Sequence, residues 1–131
     1  MSACQSGPAE LTETQQAAQM RTKVLALHDS SMLHMAALTS ERQRLERLLS
    51  QLDTTQARSH ARTIRLRRLR GALVAADTTM RHWMRTYAEP DTARLTHHQY
   101  VDFWTTEEEE LRALARQMRN ALDSAATVRG H

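Results

Sequence analysis

The chain has few of the residues that interrupt helices or crosslink a fold: its 131 residues include one cysteine, two prolines and three glycines. A single cysteine excludes an internal disulfide and any zinc site built from several cysteines. Because breakers are scarce, long runs rich in alanine, leucine, arginine and glutamate predict an all-α fold. No apolar run approaches the ~18 residues that a membrane-spanning helix needs.

Lysine is also nearly absent, because Lys23 is the only one and arginine supplies almost all of the positive charge. The formal net charge at pH 7 is +3. The sequence has no nucleophile paired with a base, no glycine-rich phosphate loop and no HExxH motif, which are common signatures of catalysis. We therefore expect a non-enzymatic protein.

Three apolar stripes with helical spacing divide the chain. Their main members are Val24, Met35, Leu38 and Leu45, then Leu66, Leu73, Met80 and Trp83, then Trp104, Leu111, Met118 and Leu122. Short turns near Asp53 and Pro90 make neighbouring helices antiparallel. The pattern predicts an all-α, antiparallel up-down-up three-helix bundle with long helices over residues 11–127. Residues 1–10 are expected to form a tether and residues 128–131 a loose tail.

Helix starts are indicated by threonine and aspartate, which cap helices well. Thr12 or Thr14 is predicted to cap the first helix, Asp53 or Thr54 the second, and Thr96 the third. The polar stretch 11–23 is expected to overhang the bundle or fray. Gly71, inside the second helix, either admits a close neighbour or merely lowers stability.

Two polar residues, His28 and Glu108, interrupt the inward stripes. A buried charge needs a partner. We expect a small network that joins them to Asp29, Asp77 and the indole N–H of Trp83 or Trp104.

A methionine and histidine cluster is predicted at one end of the bundle. His28 with Met32, and Met80 with Met84, are spaced i,i+4, so each pair shares a helix face. Imidazole and thioether groups can hold copper or zinc. The simpler interpretation, which we favour, is a flexible methionine-rich core without any cofactor.

The other end is strongly basic through Arg62, Arg65, Arg67, Arg68 and Arg70 of the second helix. Such a patch can contact an acidic protein or an anionic lipid surface. A solvated face with local ion pairs is the alternative. No specific nucleic-acid binding is expected, because the region lacks aromatics and any known reading motif.

The cysteine lies in a lipoprotein-like context. Ser2-Ala3-Cys4 matches the small residues that precede a lipidated cysteine, with Met1 where leucine is usual. The pattern predicts lipidation of Cys4 after removal of a signal peptide, with a supplied start methionine, and attachment to a membrane. The alternative is a free, inert thiol.

His28-Asp29 followed by Met32 and Met35, together with the run from Ala76 to Tyr87, resembles a known family. It is similar to small bacterial envelope lipoproteins often labelled "viral A-type inclusion protein", over about residues 24–125. The resemblance implies a lipid-anchored helical protein in the bacterial cell envelope, facing the periplasm or the cell surface. The arginine excess, and Asp77 where the family has histidine, depart from the family pattern.

A second similarity lies in Leu11-Thr12-Glu13-Thr14-Gln15, with Leu52-Asp53-Thr54-Thr55-Gln56 as a degenerate copy. It resembles the LTxxQ motif of periplasmic helical chaperones and metal-stress sensors. The resemblance implies an alternative function as a chaperone-like or metal-responsive bundle. A cytosolic polyanion-binding module is a further alternative, and both monomer and dimer are compatible with the stripes.

Overall fold

The computed structural model describes residues 12–129, which form three long helices. They are α1 (Glu13–Ser50), α2 (Ala57–Thr86) and α3 (His97–Ala126), with a short 3₁₀ helix at Thr92–Arg94 before α3. Every pair of long helices is in contact, and residues 12–129 contain no strand. The predicted all-α three-helix bundle is confirmed.

Two helices begin with the same hydrogen-bonded cap. The hydroxyl oxygen of Thr12 accepts from the N–H of Gln15 at 3.1 Å, and the Gln15 side chain accepts from the N–H of Thr12 at 3.0 Å. Thr96 and Gln99 repeat these two bonds at 3.1 and 3.0 Å. This reciprocal pair satisfies two N–H groups that a helix start otherwise leaves unpaired.

The start of α2 is different, and the predicted cap at Asp53 or Thr54 is wrong. Gln56 occupies the N-cap position without a side-chain hydrogen bond to the helix. The Asp53 carboxylate instead accepts from the N–H and hydroxyl of Thr55, at 3.0 and 2.6 Å. Asp53 therefore stabilises the turn and leaves the first turn of α2 uncapped.

The core follows the predicted stripes. Its largest fully buried side chains are Val24, Ser31, Leu38, Leu45, Leu66, Leu73, Met80, Trp104, Leu111 and Met118. Gly71 does not admit a close neighbour, since a Cβ built there meets nothing within 4 Å. Its effect is therefore the stability cost of glycine within a helix.

The first turns of α1 do not overhang the bundle. Ala17 is buried, and the Arg21 guanidinium donates to Glu89 at 2.7 Å. The His97 Nδ1 lies 3.8 Å from the Glu13 carboxylate. Contacts with the segment that leads into α3 thus hold the polar start of α1, which has few apolar residues of its own.

Val128 is not part of a loose tail, in contrast to the sequence expectation. Its side chain is buried in the core. The Arg44 guanidinium donates to the carbonyls of Ala125 and Val128, both at 2.8 Å. One arginine of α1 therefore brings a charged donor to carbonyls at and just beyond the C-terminal end of α3.

The helix directions place different chemistry at the two ends of the bundle. α1 and α3 run parallel, because Glu13 lies beside His97 and Arg44 beside Val128. The capped end, defined by Thr12 and Thr96, therefore lies opposite the arginine end, where α2 begins. With 38 residues at 1.5 Å each, α1 is about 57 Å long. Among residues 12–129, no helix has the length and apolar character that crossing a membrane requires.

Candidate arginine-rich interface and polar core

Helix α2 carries most of the excess positive charge. It has eight arginines and one aspartate, a net charge of +7. The first half of the helix, from Ala57 to Arg70, has six arginines and no carboxylate. The predicted contact residues Arg62, Arg65, Arg67 and Arg68 are exposed there, and Arg70 is half-buried.

Six of the twelve arginines elsewhere in the described bundle form ion pairs. Five of these pairs, at 2.7–2.9 Å, are Arg21–Glu89, Arg42–Glu46, Arg44–Glu41, Arg81–Asp77 and Arg112–Glu108, and the sixth is Arg94–Asp91 at 3.6 Å. By contrast, within residues 12–129 none of the five predicted contact arginines lies within 4.0 Å of a carboxylate oxygen. The local ion pairs of the alternative interpretation are therefore not formed by these five residues.

The spacing of these charges opposes helix formation. Arg58, Arg62 and Arg65 are related by i,i+4 and i,i+3 steps, so they share one face of α2. Like charges at this spacing repel and destabilise a helix. An anion placed along this face would reverse the sign of that interaction, which makes the face a candidate binding surface.

The polar part of the core is organised around Trp83 of α2. Its indole N–H donates to the Glu107 carboxylate at 2.7 Å. Its ring stacks on His28 at a centroid distance of 5.3 Å and on Tyr87 at 4.8 Å. This arrangement connects all three helices through one side chain.

Glu108 does not belong to the network that the stripes predict. It pairs with Arg112 at 2.8 Å and with Lys23 at 3.2 Å, while its neighbour Glu107 binds the indole. The reason is geometric: adjacent residues on a helix differ by about 100°, and the flank that carries Glu107 is the one that faces Trp83. Asp77 is likewise engaged by Arg81 and not by His28.

Three buried polar atoms in the described region have no hydrogen-bond partner. They are the Nε2 of His28, the hydroxyl of Ser31 and the indole N–H of Trp104. The other ring nitrogen of His28 lies 3.4 Å from the Asp29 carboxylate. The predicted network is thus not formed as expected: the indole of Trp83 binds Glu107 instead of Glu108, and that of Trp104 has no partner among the described residues.

Adjacent glutamates on α3 have opposite pKa shifts. Burial raises the pKa of Glu107 above its ordinary value of 4.5, although the hydrogen bond from Trp83 opposes this. The hydrogen bond from Arg112 lowers the pKa of Glu108, against a smaller desolvation effect. Burial also raises the pKa of Tyr87 to about 12, so its hydroxyl stays protonated and donates to Glu89 at 3.1 Å.

The proposed metal ligands lie in unlike environments. Met80 is fully buried, Met32 is 37% exposed, and Met84 is half-buried against the core. His28 stacks on Trp83. Within residues 12–129 no group of three or more histidine, cysteine, aspartate or glutamate residues could hold an ion. Methionine is not among those ligand types, so the site of His28, Met32, Met80 and Met84 stays a prediction.

The LTxxQ-like motif is used for helix capping where the structure describes it. Thr12 and Gln15 form the cap of α1, whereas the degenerate copy ending at Gln56 forms no such cap. A full second match that was not predicted, Leu95-Thr96-His97-His98-Gln99, caps α3 in the same way. Its spacing of threonine and glutamine is the signal that identifies it. Cys4 lies outside the described residues.

Comparison with known protein families, curated proteins and solved structures gives no match to this chain. The function of the protein must therefore be inferred from its residues and their geometry.

The two glutamates of α3 predict a specific pH dependence. A lowered folded pKa means that Glu108 stabilises the fold above pH 4.5 and that this contribution is lost as pH falls through the folded value. A raised pKa means that the contribution of Glu107 is present below pH 4.5 and is lost as pH rises through its folded value. We expect Glu108→Gln to reduce the difference in free energy of unfolding between pH 7 and pH 3, and Glu107→Gln to increase it.

Urea denaturation followed by circular dichroism at both pH values measures this difference. Each variant is the matched control of the other, because both replace one carboxylate by an amide on the same turn. If both variants changed this difference in free energy in the same direction, the opposite pKa shifts of Glu107 and Glu108 would be contradicted.

The metal hypothesis predicts that an ion stabilises the folded protein. An ion bound only by the folded state adds RT ln(1 + [L]/Kd) to its stability. If His28, Met32, Met80 and Met84 form a site, Cu(I) or Zn(II) raises the melting temperature, and Met32→Ala removes the increase. Met32 is the residue to replace because it is exposed, whereas Met80→Ala would itself cost about 2–5 kcal/mol. An unchanged melting temperature with both ions would leave these residues as core packing.

Proposed function

We propose that the chain is a non-enzymatic bacterial envelope lipoprotein whose helical bundle binds an acidic partner surface. Arg62, Arg65, Arg67, Arg68 and Arg70 supply the contact. The observation that carries the proposal is that none of the five lies within 4.0 Å of a carboxylate in the described residues, while six of the twelve other arginines do.

The chemistry of arginine suits this role. Its guanidinium is always charged and presents donors in a planar fork that fits carboxylate and phosphate oxygens. A cluster of one sign raises the local concentration of anions, and salt weakens that attraction. Residues 57–70 contain no phenylalanine, tyrosine or tryptophan on which a base could stack, which favours an acidic surface over single-stranded nucleic acid.

The proposed address is supported by the residues around Cys4 and by the family resemblance. Lipidation there would attach the protein at the capped end, where α1 begins. Eight residue steps separate Cys4 from Thr12, and a chain extends at most about 3.6 Å per residue. Those eight steps can therefore span at most about 29 Å.

This reach is short compared with the bundle. α1 extends about 57 Å from Thr12 to the arginine end. An upright bundle would hold its arginines well away from the anchoring bilayer. In that orientation the partner would be an acidic envelope component beyond that bilayer.

A chaperone-like function is the second candidate, because two full LTxxQ matches stand together at the capped end. The threonine and glutamine of both are occupied by helix capping. Helix capping therefore accounts for these side chains without a bound client. The cytosolic polyanion module is the third candidate, and it would use the same arginines without the lipid anchor.

Charge reversal tests the arginine surface. In Arg65→Glu/Arg67→Glu/Arg68→Glu, we expect retention on immobilised poly-L-glutamate at low ionic strength to be abolished, because an attractive surface becomes repulsive. The control is Arg81→Glu/Arg94→Glu/Arg112→Glu, which changes the net charge equally at arginines that already have carboxylate partners.

The control should elute at a salt concentration only modestly below that of the wild type. If both triple variants lose retention equally, net charge alone explains binding. If the wild type is not retained at low salt, the arginine surface is a solvated face that does not bind an acidic partner. Circular dichroism on each variant checks that the helices are intact.

The proposed membrane localisation can be tested separately. With its native leader, the protein should fractionate with membranes and carry a diacylglycerol adduct on Cys4, detected by mass spectrometry. Stable anchoring needs more than one acyl chain, so the fully modified form is expected. Cys4→Ser should release the protein from the membrane fraction. An unmodified Cys4, or an unchanged distribution of Cys4→Ser, would reject the anchor and favour the cytosolic alternative.

A further inference from the structure

The arginine end contains a concave feature in addition to its convex charged face. A cleft of about 550 Å³ opens between the start of α2 and the residues that follow α3. Arg58, Arg62 and Arg65 line it from α2, and Arg129 from the other side. The buried side chains of Leu66 and Val128 also line it. Four cations and an apolar lining thus share one cavity.

The positive charge of this cleft is not consumed by the fold. The carbonyls at the end of α3 are bound by Arg44, which comes from α1. Arg65 donates to the hydroxyl of Thr127 at 2.9 Å, and Arg58 to the side chain of Gln56 at 2.8 Å. Both acceptors are neutral, so neither contact reduces the charge.

The remaining two arginines are still less engaged. In the part of the chain that the structure describes, Arg62 and Arg129 make no side-chain hydrogen bond, and none of the four cleft arginines lies within 4.0 Å of a carboxylate. Guanidinium groups that line an open cavity and have no carboxylate partner are candidate donors to an oxyanion.

The start of α2 adds to the same potential. Gln56 gives it no side-chain cap and its first turn has no acidic residue. The partial positive charge of the helix N-terminus therefore reinforces the arginines. The closely spaced arginines of α2 repel one another, and a bound anion would offset that repulsion.

We infer that this cleft binds a phosphate group, either free or as the ester of a larger ligand. A phosphate offers several oxygens and more than one negative charge, which suits donors arriving from two sides of a cavity. The cavity is larger than a phosphate ion, and Leu66 and Val128 provide room for an ester's apolar body. The inference rests on the proposed function, since it narrows the acidic partner of the arginine end to one that carries phosphate.

The test is the melting temperature of the full chain in phosphate compared with chloride at matched ionic strength. We expect phosphate to raise it for the wild type, because the folded state alone presents the cleft. Arg62→Gln/Arg129→Gln should weaken phosphate binding about tenfold or more, because it removes charged donors. The matched control is Arg116→Gln/Arg119→Gln, which removes the same charge from exposed positions on α3 outside the cleft lining and should keep the increase.

The inference would be overturned if phosphate did not raise the melting temperature of the wild type above its value in chloride. It would also be overturned if the two double variants lost this increase equally. Retention on poly-L-glutamate without a phosphate effect would reject the cleft alone, whereas loss of both would also reject the proposed function. Glycerol phosphate and a soluble short-chain phosphatidic acid distinguish the source of the phosphate. Tighter binding of the lipid indicates a headgroup with its apolar body, and equal binding indicates recognition of the phosphate alone.

Discussion

Burial of the apolar stripe of α2 is the constraint on which the charged surface depends. The first half of that helix carries six arginines and no carboxylate, so its own charges oppose helix formation. Its first turn also lacks a side-chain cap. Local sequence therefore does little to stabilise the helix, and tertiary packing must do so. Leu66, Leu73 and Met80, all nearly or fully buried, provide that packing.

The same packing sets the positions of the polar groups. α1 and α3 run parallel, and each contributes one group to the far end: the guanidinium of Arg44 and the carbonyls of Ala125 and Val128. Because this contact neutralises the end of α3, the arginines of α2 are not needed there. Nearer the capped end, Trp83 joins His28 and Glu107, which fixes the rotation of α2 against its two neighbours.

The fold could be predicted from the sequence because its apolar residues recur at helical spacing. The same residues that indicate a helix are therefore the ones that the helix buries. The caps at Thr12 and Thr96 could be predicted for a similar reason, since a threonine followed three residues later by glutamine forms two local bonds. The cap of α2 could not, because Asp53 has a competing local partner in Thr55. That Trp83 would bind Glu107 and not Glu108 could not be predicted either. The partner depends on the rotation of α3 about its axis, and an apolar stripe defines that rotation only to within one residue.

The candidate site was predicted only in part. Its arginines are visible in the sequence, but the lack of carboxylate neighbours is a property of the packed bundle. Glu41 and Glu46 lie on the α1 segment near this end, yet Arg44 and Arg42 engage them. The contribution of Arg129 to the cleft could not be expected either, since it follows from the burial of Val128 beside it.

The separation of the two ends gives the proposed function a mechanical consequence. A lipid on Cys4 would hold the capped end, while the cleft lies level with Arg44, about 48 Å away along α1. Contact between the arginine end and a distant phosphate-bearing surface would place the bundle across the gap between the two. Contact with the anchoring bilayer would instead require the bundle to lie flat, and its convex arginine face on α2 would then meet the lipid. The two arrangements use different parts of α2, because the cleft opens towards the end of α3 whereas Arg67 and Arg68 do not line it. A partner that needs the cleft residues therefore indicates an upright bundle, and one that needs only Arg67 and Arg68 indicates a bundle lying on the membrane.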